Sequence, residues 1–171
     1  MQHQLKKQSI DEFTCNPVNQ FDKKWALVTA GDASGVNTMT ISWGAVGELW
    51  GKSVTFTFIR PQRYTKQFID RQQTYSVCFF DEAYREKLSY LGRVSGKDED
   101  KIRNSGLTVA FVDGTPYFEQ AQTVLICKKL YSQKLEKAAF LAPEIPQKVY
   151  AGDDYHTMYI SEILSLYQAE R

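Results

Sequence analysis

Two short segments carry residue types that suit chemistry. The first is Asn37-Thr38-Met39-Thr40-Ile41-Ser42-Trp43, followed by Gly44. Thr38, Thr40 and Ser42 alternate with Met39, Ile41 and Trp43. On a strand, that alternation puts small hydroxyls on one side and apolar groups on the other. A flat ring that is polar along one edge needs such donors and acceptors, and it needs apolar cover on a face. Gly44 would let a ligand or another chain approach closely. Taken alone, the same pattern also describes an amphipathic strand with one solvated face.

The second segment is Arg60-Pro61-Gln62-Arg63-Tyr64-Thr65-Lys66. It follows a strand and enters a helix, and it gathers three cations and a hydroxyl within seven residues. A dianionic phosphate is matched by guanidinium forks, a hydroxyl donor and free N–H groups at a helix start. Pro61 fixes the turn, and its missing N–H costs little there. The alternative is a surface loop of solvated basic residues. The two segments sit one hairpin apart, which allows them to share one ligand. Gly51-Lys52-Ser53 only imitates a nucleotide-binding loop. Three residues separate Gly47 from Gly51 where four are required, and a strand follows where that motif needs a helix.

The elements that must position these residues read mostly as strands. Period-two alternation or β-rich composition marks residues 25–30, 37–43, 54–59, 74–79, 107–112, 123–131 and 156–167. Gly31-Asp32-Ala33-Ser34-Gly35 is turn material between the first two. Helices are predicted over 64–71, over 81–89 with Asp81 as N-cap, over 98–104 closed by Gly106, and over 135–141 ended before Pro143. Many short strands with a few helices predict a mainly β fold, a closed barrel with helical additions. No G-x-G occurs, so a Rossmann fingerprint is absent.

The bulk composition excludes several classes. At 171 residues and 43% hydrophobic, the chain suits a single domain with a real core. A net charge of +1 with no long basic run argues against a nucleic-acid partner or an anionic membrane. Cys15, Cys78 and Cys127 are odd in number and far apart, and there is no C-x-x-C. A disulfide framework and a Cys/His zinc site are therefore not expected. No apolar run is long enough for a membrane span, and a cytoplasmic location is expected.

The run from Trp25 to Phe80 resembles the flavin reductase-like, FMN-binding split-barrel family, especially its flavoredoxin-like branch. The matching pieces are Trp25-Ala26-Leu27-Val28-Thr29-Ala30, the segment from Asn37 to Gly44, Arg60-Pro61-Gln62-Arg63-Tyr64-Thr65 and Tyr75-Ser76-Val77. Weaker matches are Ser95-Gly96-Lys97-Asp98-Glu99-Asp100-Lys101 and Gly152-Asp153-Asp154-Tyr155-His156. The resemblance implies a six-stranded Greek-key barrel over residues 1–171, with residues 1–20 as an extension packed on the barrel or on a partner subunit. It implies a homodimer with FMN near the interface, FAD being the alternative flavin. Asn37, Thr38, Met39, Thr40, Ser42 and Trp43 would line the ring. Arg60, Arg63, Tyr64, Thr65 and Lys66 would hold the phosphate, and residues 95–101, with Ser95, Gly96 and Lys97 among the cofactor contacts, would form a loop closing over the ligand or touching the second subunit. His156 matches by position a histidine that sits by the flavin and the nicotinamide. Its bland counterpart is a half-buried strand histidine. The implied activity is NAD(P)H-dependent flavin reduction, with NADH or NADPH as reductant and a redox partner protein as a further expectation. A flavoredoxin-like electron carrier with tightly bound FMN is the alternative, and a barrel-shaped interaction module is a more remote one.

Overall fold

The computed structural model describes residues 4–170. The ends of the chain, residues 1–3 (with His3) and 171, lie outside the described residues. Ten strands are described: β1 (Leu5–Gln8), β2 (Ala26–Asp32), β3 (Gly35–Ile41), β4 (Gly44–Leu49), β5 (Lys52–Ile59), β6 (Thr74–Phe79), β7 (Val109–Val112), β8 (Thr115–Phe118), β9 (Thr123–Lys134) and β10 (Thr157–Ala169). The main sheet runs β3-β2-β6-β9-β10-β5-β4, and all its pairings are antiparallel. Its two ends, β3 and β4, are consecutive in the chain and separated only by Ser42 and Trp43. A two-residue link between opposite ends forces the twisted strip to curl into a barrel. β1, from the N-terminal extension, adds to β10, with Leu5 opposite Ala169. No helix is long and apolar enough to cross a membrane.

Alternation sorts the strand residues onto two faces. Val28, Met39, Ile41, Tyr75, Val77, Phe79, Leu125 and Leu166 fill the barrel with Phe21. Leu27, Cys78, Val124 and Ile126 form a second core on the outside of the wall. There Leu88 and Leu91 of a helix, Leu107 and Phe118 cover them. The small polar faces are therefore buried too. Ser76 donates to the carbonyl of Pro116 at 2.6 Å. Thr55 and Thr57 are fully buried with Tyr75 and Ser161. The Tyr75 hydroxyl lies 3.0 Å from that of Thr57 and donates to Ser161 at 2.9 Å. A fully buried phenol needs such partners, which is why β5 turns its hydroxyl face inward. Register shifts between β9 and β10 leave Leu130 and Leu164 as extra, exposed residues.

The helices are α1 (Pro17–Asn19), α2 (Tyr64–Arg71), α3 (Arg85–Arg93), α4 (Lys101–Ser105) and α5 (Glu144–Val149). Helix 64–71 agrees with its sequence expectation. Asp81 does act as a cap, but of a single 3₁₀ turn, Glu82–Tyr84, after which α3 begins. In α4 the capping residue is Asp100, and Gly106 at φ +66° closes the helix.

One expectation is overturned. Residues 135–141 hold only a 3₁₀ turn, Lys137–Ala139, and Pro143 sits at the start of α5 rather than after a helix. Pro146 then falls in the first turn, where a missing N–H breaks no helical bond. Gly44 allows the close approach expected of it, but of the chain itself rather than of a ligand. A Cβ there would meet the Phe21 ring at 2.5 Å, so the space belongs to the core. Gly44→Ala should therefore overpack this contact and cost about 1–3 kcal/mol. A lowered urea midpoint with an unchanged slope is the expected outcome, and an unaltered midpoint would refute the packing role.

Candidate functional site

Four chain segments converge at one end of the barrel. They are the Ser42–Trp43 bend, the turn from Arg60 into α2, the connection from α3 to α4, and the loop entering β10. Between them lie two cavities, of about 540 Å³ and about 200 Å³. Met39, Arg60 and Arg63 line both, so the two spaces share one wall. Sites for cofactor-sized ligands are typically roughly 300–1,000 Å³.

The larger cavity is cationic. Arg60, Arg63, Arg93 and Lys101 line it, with Gln62, Tyr64 and Thr65 from the start of α2 and Val94, Ser95 and Gly96 opposite. No carboxylate among the described residues lines either cavity. Arg63 donates to the carbonyl of Gly92 at 2.8 Å. No side chain caps the N-terminus of α2, whose first residues, Tyr64 and Thr65, line this cavity. Lys101 is 4% exposed. Its ammonium donates to the carbonyls of Leu91 and Val94, each at 2.9 Å. Burial, then the nearby Arg63 charge, pulls its pKa down to about 8. A buried ammonium beside a guanidinium is destabilised by like charge until an anion arrives. This chamber therefore fits a phosphate.

The smaller cavity is a slot. Ile41, Trp43 and Phe58 give it apolar walls, and Thr40, Ser42 and His156 add polar groups. Trp43 is 45% exposed, with its ring 4.8 Å from that of His156. The His156 Nδ1 lies 2.8 Å from the Tyr150 hydroxyl. Burial first, then the charge of Arg60, lowers the His156 pKa to about 4, with Asp154 opposing. The imidazole is thus neutral at physiological pH. Arg60 pairs with Asp154, donates to the carbonyl of Val149 at 3.1 Å, and lies over the Tyr150 ring. Gln62 donates to the same Asp154 oxygen at 2.7 Å.

Of the sequence-derived candidates, Met39, Thr40, Ser42, Trp43, Arg60, Arg63, Tyr64, Thr65, Ser95, Gly96 and His156 line the two cavities. Four others do not. The Thr38 hydroxyl is 2.9 Å from that of Thr29 and donates to the Val28 carbonyl, so it is spent inside the wall. Lys66 pairs with Asp70 one helical turn on. Lys97 lies over the Tyr64 ring. Asn37 sits on the same strand face as Met39 and adjoins the larger cavity through Gly96, where a Cβ would meet the Asn37 amide at 2.8 Å. Its amide Nδ2 is buried without a hydrogen-bond partner among the described residues. An orphaned donor next to a cationic chamber is a place for a ligand acceptor. Arg93, Val94 and Phe58 were not anticipated as site residues, whereas Ile41, Gln62 and Lys101 fall inside the expected segments. Lys101 closes the segment that begins at Ser95, the one signal that pointed to it.

The flavin reductase like domain family matches residues 18–171. Similar solved structures include a flavoredoxin from Methanosarcina acetivorans, at 19% identity and a TM-score of 0.68, over 86% of this chain and 69% of that one. An FMN-binding domain of a flavin reductases-like enzyme from Shewanella baltica gives 14% and 0.71, over 99% and 79%. An NADH:FAD oxidoreductase from Streptomyces globisporus gives 14% and 0.64, over 85% and 75%. The shared fold is the split barrel that the sequence suggested. No curated protein matches the chain.

The depressed His156 pKa has a consequence for stability. An unfolded histidine titrates near about 6.5. Between that value and about 4 the unfolded chain binds a proton that the folded one refuses. Stability should therefore fall as pH drops from 6.5 toward 4, and be whole above 6.5. His156→Gln should flatten that decline in urea midpoints at pH 7, 6 and 5. An identical decline in the variant would show that the histidine is not its source.

Proposed function

The chain belongs to the flavin reductase like domain family, a group of flavin-related oxidoreductases, and from that premise we propose that it binds FMN and catalyses NAD(P)H-dependent flavin reduction. The observation that carries this reading is the pair of joined cavities, one cationic and one with apolar walls from Ile41, Trp43 and Phe58 beside polar groups, sharing Arg60 and Arg63. A molecule with a phosphate at one end and a planar polar-edged ring at the other matches both.

In this reading Arg63, Arg93 and Lys101 hold the phosphate, with the N–H groups at the start of α2. Arg60 is largely committed to Asp154 and contributes field more than contact. Met39, Ile41, Phe58 and Trp43 cover the ring and exclude water. Thr40 is already bonded to the carbonyl of Leu88, so on this strand the peptide groups and Ser42 are left to meet the ring's polar edge. Asn37 Nδ2 would find its missing acceptor on the ligand. When bound, FMN supplies the two-electron chemistry, taking hydride from a reduced pyridine nucleotide and passing electrons on. The chain's task is to hold two rings together and keep one face open, which demands no strong acid or base. A homodimer belongs to the same proposal, with exposed Trp43, Trp50 and Tyr131 as its apolar surface.

A visible spectrum of the purified protein, before and after anaerobic NADH or NADPH, tests this. Bleaching of bound FMN with steady turnover of the nucleotide is expected. Tight FMN that no pyridine nucleotide reduces would instead mark an electron carrier, and a protein that ignores FMN would end the proposal. Arg63→Ala and Lys101→Met should each weaken FMN binding by about 1.5–3 kcal/mol, the range for a charge-assisted contact. An unchanged dissociation constant in either variant would remove that residue from the phosphate site.

A further inference from the structure

His156 offers the smaller cavity only one ring nitrogen. Its Nδ1 is engaged by the Tyr150 hydroxyl at 2.8 Å, and its Nε2 has no protein partner among the described residues. Which of the two groups donates follows from counting hydrogen bonds. Tyr150 is 4% exposed, and its O–H has no acceptor among the described residues except Nδ1. The main-chain N–H of His156 already acts on the same phenolic oxygen. If Nδ1 carried the proton, the phenol would receive two donors and its own proton would be stranded in a buried place. The phenol therefore donates, Nδ1 accepts, and the ring proton resides on Nε2.

Tyr150 is itself held in place. Its ring stacks on Tyr155 at 4.6 Å and 26°, meets Phe140, and lies beneath the Arg60 guanidinium. The same guanidinium holds the Val149 carbonyl next door and the Asp154 carboxylate. Two arginines nearby oppose any positive charge on the imidazole.

We propose that Tyr150 is a positioning residue that locks His156 as the Nε2–H tautomer and so presents a fixed, neutral hydrogen-bond donor to a carbonyl oxygen of the ligand ring in the smaller cavity. His156 then orients a ligand and moves no proton. The identity of the ligand rests on the function proposed above, but the tautomer does not.

The tautomer is measured on the ligand-free, ¹⁵N-labelled protein by long-range ¹H–¹⁵N NMR. The chain has two histidines, so His3→Gln leaves one imidazole in the spectrum. At pH 7, Nε2 should be pyrrole-like and Nδ1 pyridine-like. An Nδ1–H tautomer in this otherwise unaltered protein would overturn the proposal, whatever the variants do. Tyr150→Phe keeps the ring stack and should release the lock, giving a mixture of tautomers. Unchanged tautomer populations would equally overturn it. Tyr150→Phe should also weaken FMN binding roughly fivefold to tenfold, the size of one net hydrogen bond to the ring. In a His156→Gln background it should have no further effect, and an additive loss would refute action through the histidine. Failure of NADH to reduce the loaded protein would defeat the proposed function and leave the tautomer result standing.

Discussion

Everything at the site depends on how Arg60 is held. It stands where β5 ends, and its guanidinium bonds Asp154 and the carbonyl of Val149 while lying over the Tyr150 ring. These contacts pin the loop before β10 to the end of β5. The barrel alone does not require that loop to close, because the β5–β10 pairing starts only at Thr157 opposite Ile59. The ion pair is three-quarters buried on both sides. Such a pair gains little over an apolar contact, but removing one partner strands the other and is costly. It therefore acts as a register pin, and with it come Tyr150, Tyr155 and His156 on one side and the shared wall of two cavities on the other.

The second constraint is electrostatic. Four cations meet at the larger cavity, and among the described residues only Arg60 has a carboxylate partner there. Arg63 and Lys101 lean on main-chain carbonyls instead, those of Gly92, Leu91 and Val94, where α3 ends. The negative end of a helix dipole tolerates positive charge without neutralising it. The chamber is thereby kept positive and compact at once. A salt bridge to a carboxylate would have made it more comfortable and less able to take an anion.

Much of this was legible in the sequence, and the failures have physical causes. Period two exposed β3, β5 and β6, because each of these strands has a different neighbour on each face, and β-rich composition marked β2 and β9. β4 was missed because Gly-Ala-Val-Gly-Glu-Leu carries two glycines and no alternation. β8 contains Pro116, which normally argues against a strand. The Asp113-Gly114 pair, both at positive φ, was the available sign of the β7–β8 hairpin. Pro143 was taken as a stop where it serves as a start. At the site, the cations close to Arg60 in sequence were visible. Arg93 was not, because it looks like an ordinary helix residue until the end of α3 comes to line the same cavity as the start of α2. Lys66 shows the reverse error. Nearness in sequence suggested the phosphate site, yet at helical spacing it meets Asp70 instead.

In the proposed reading, the two chambers also divide the labour of recognition from that of chemistry. The cationic one supplies binding strength far from any reacting atom, and strength of that kind can be used to hold a ring in a strained or solvent-free place. In the slot, burial and the Arg60 field keep His156 neutral, so the charge there comes from the two arginines it shares with the larger cavity. In the proposed reading a neutral imidazole suits hydride transfer between flat rings, since a charged one would favour one redox state of the ring over the other. The arginines that make one chamber attractive to phosphate thus also keep the neighbouring histidine uncharged, and Arg60 and Arg63, lining both, are the physical link between the two.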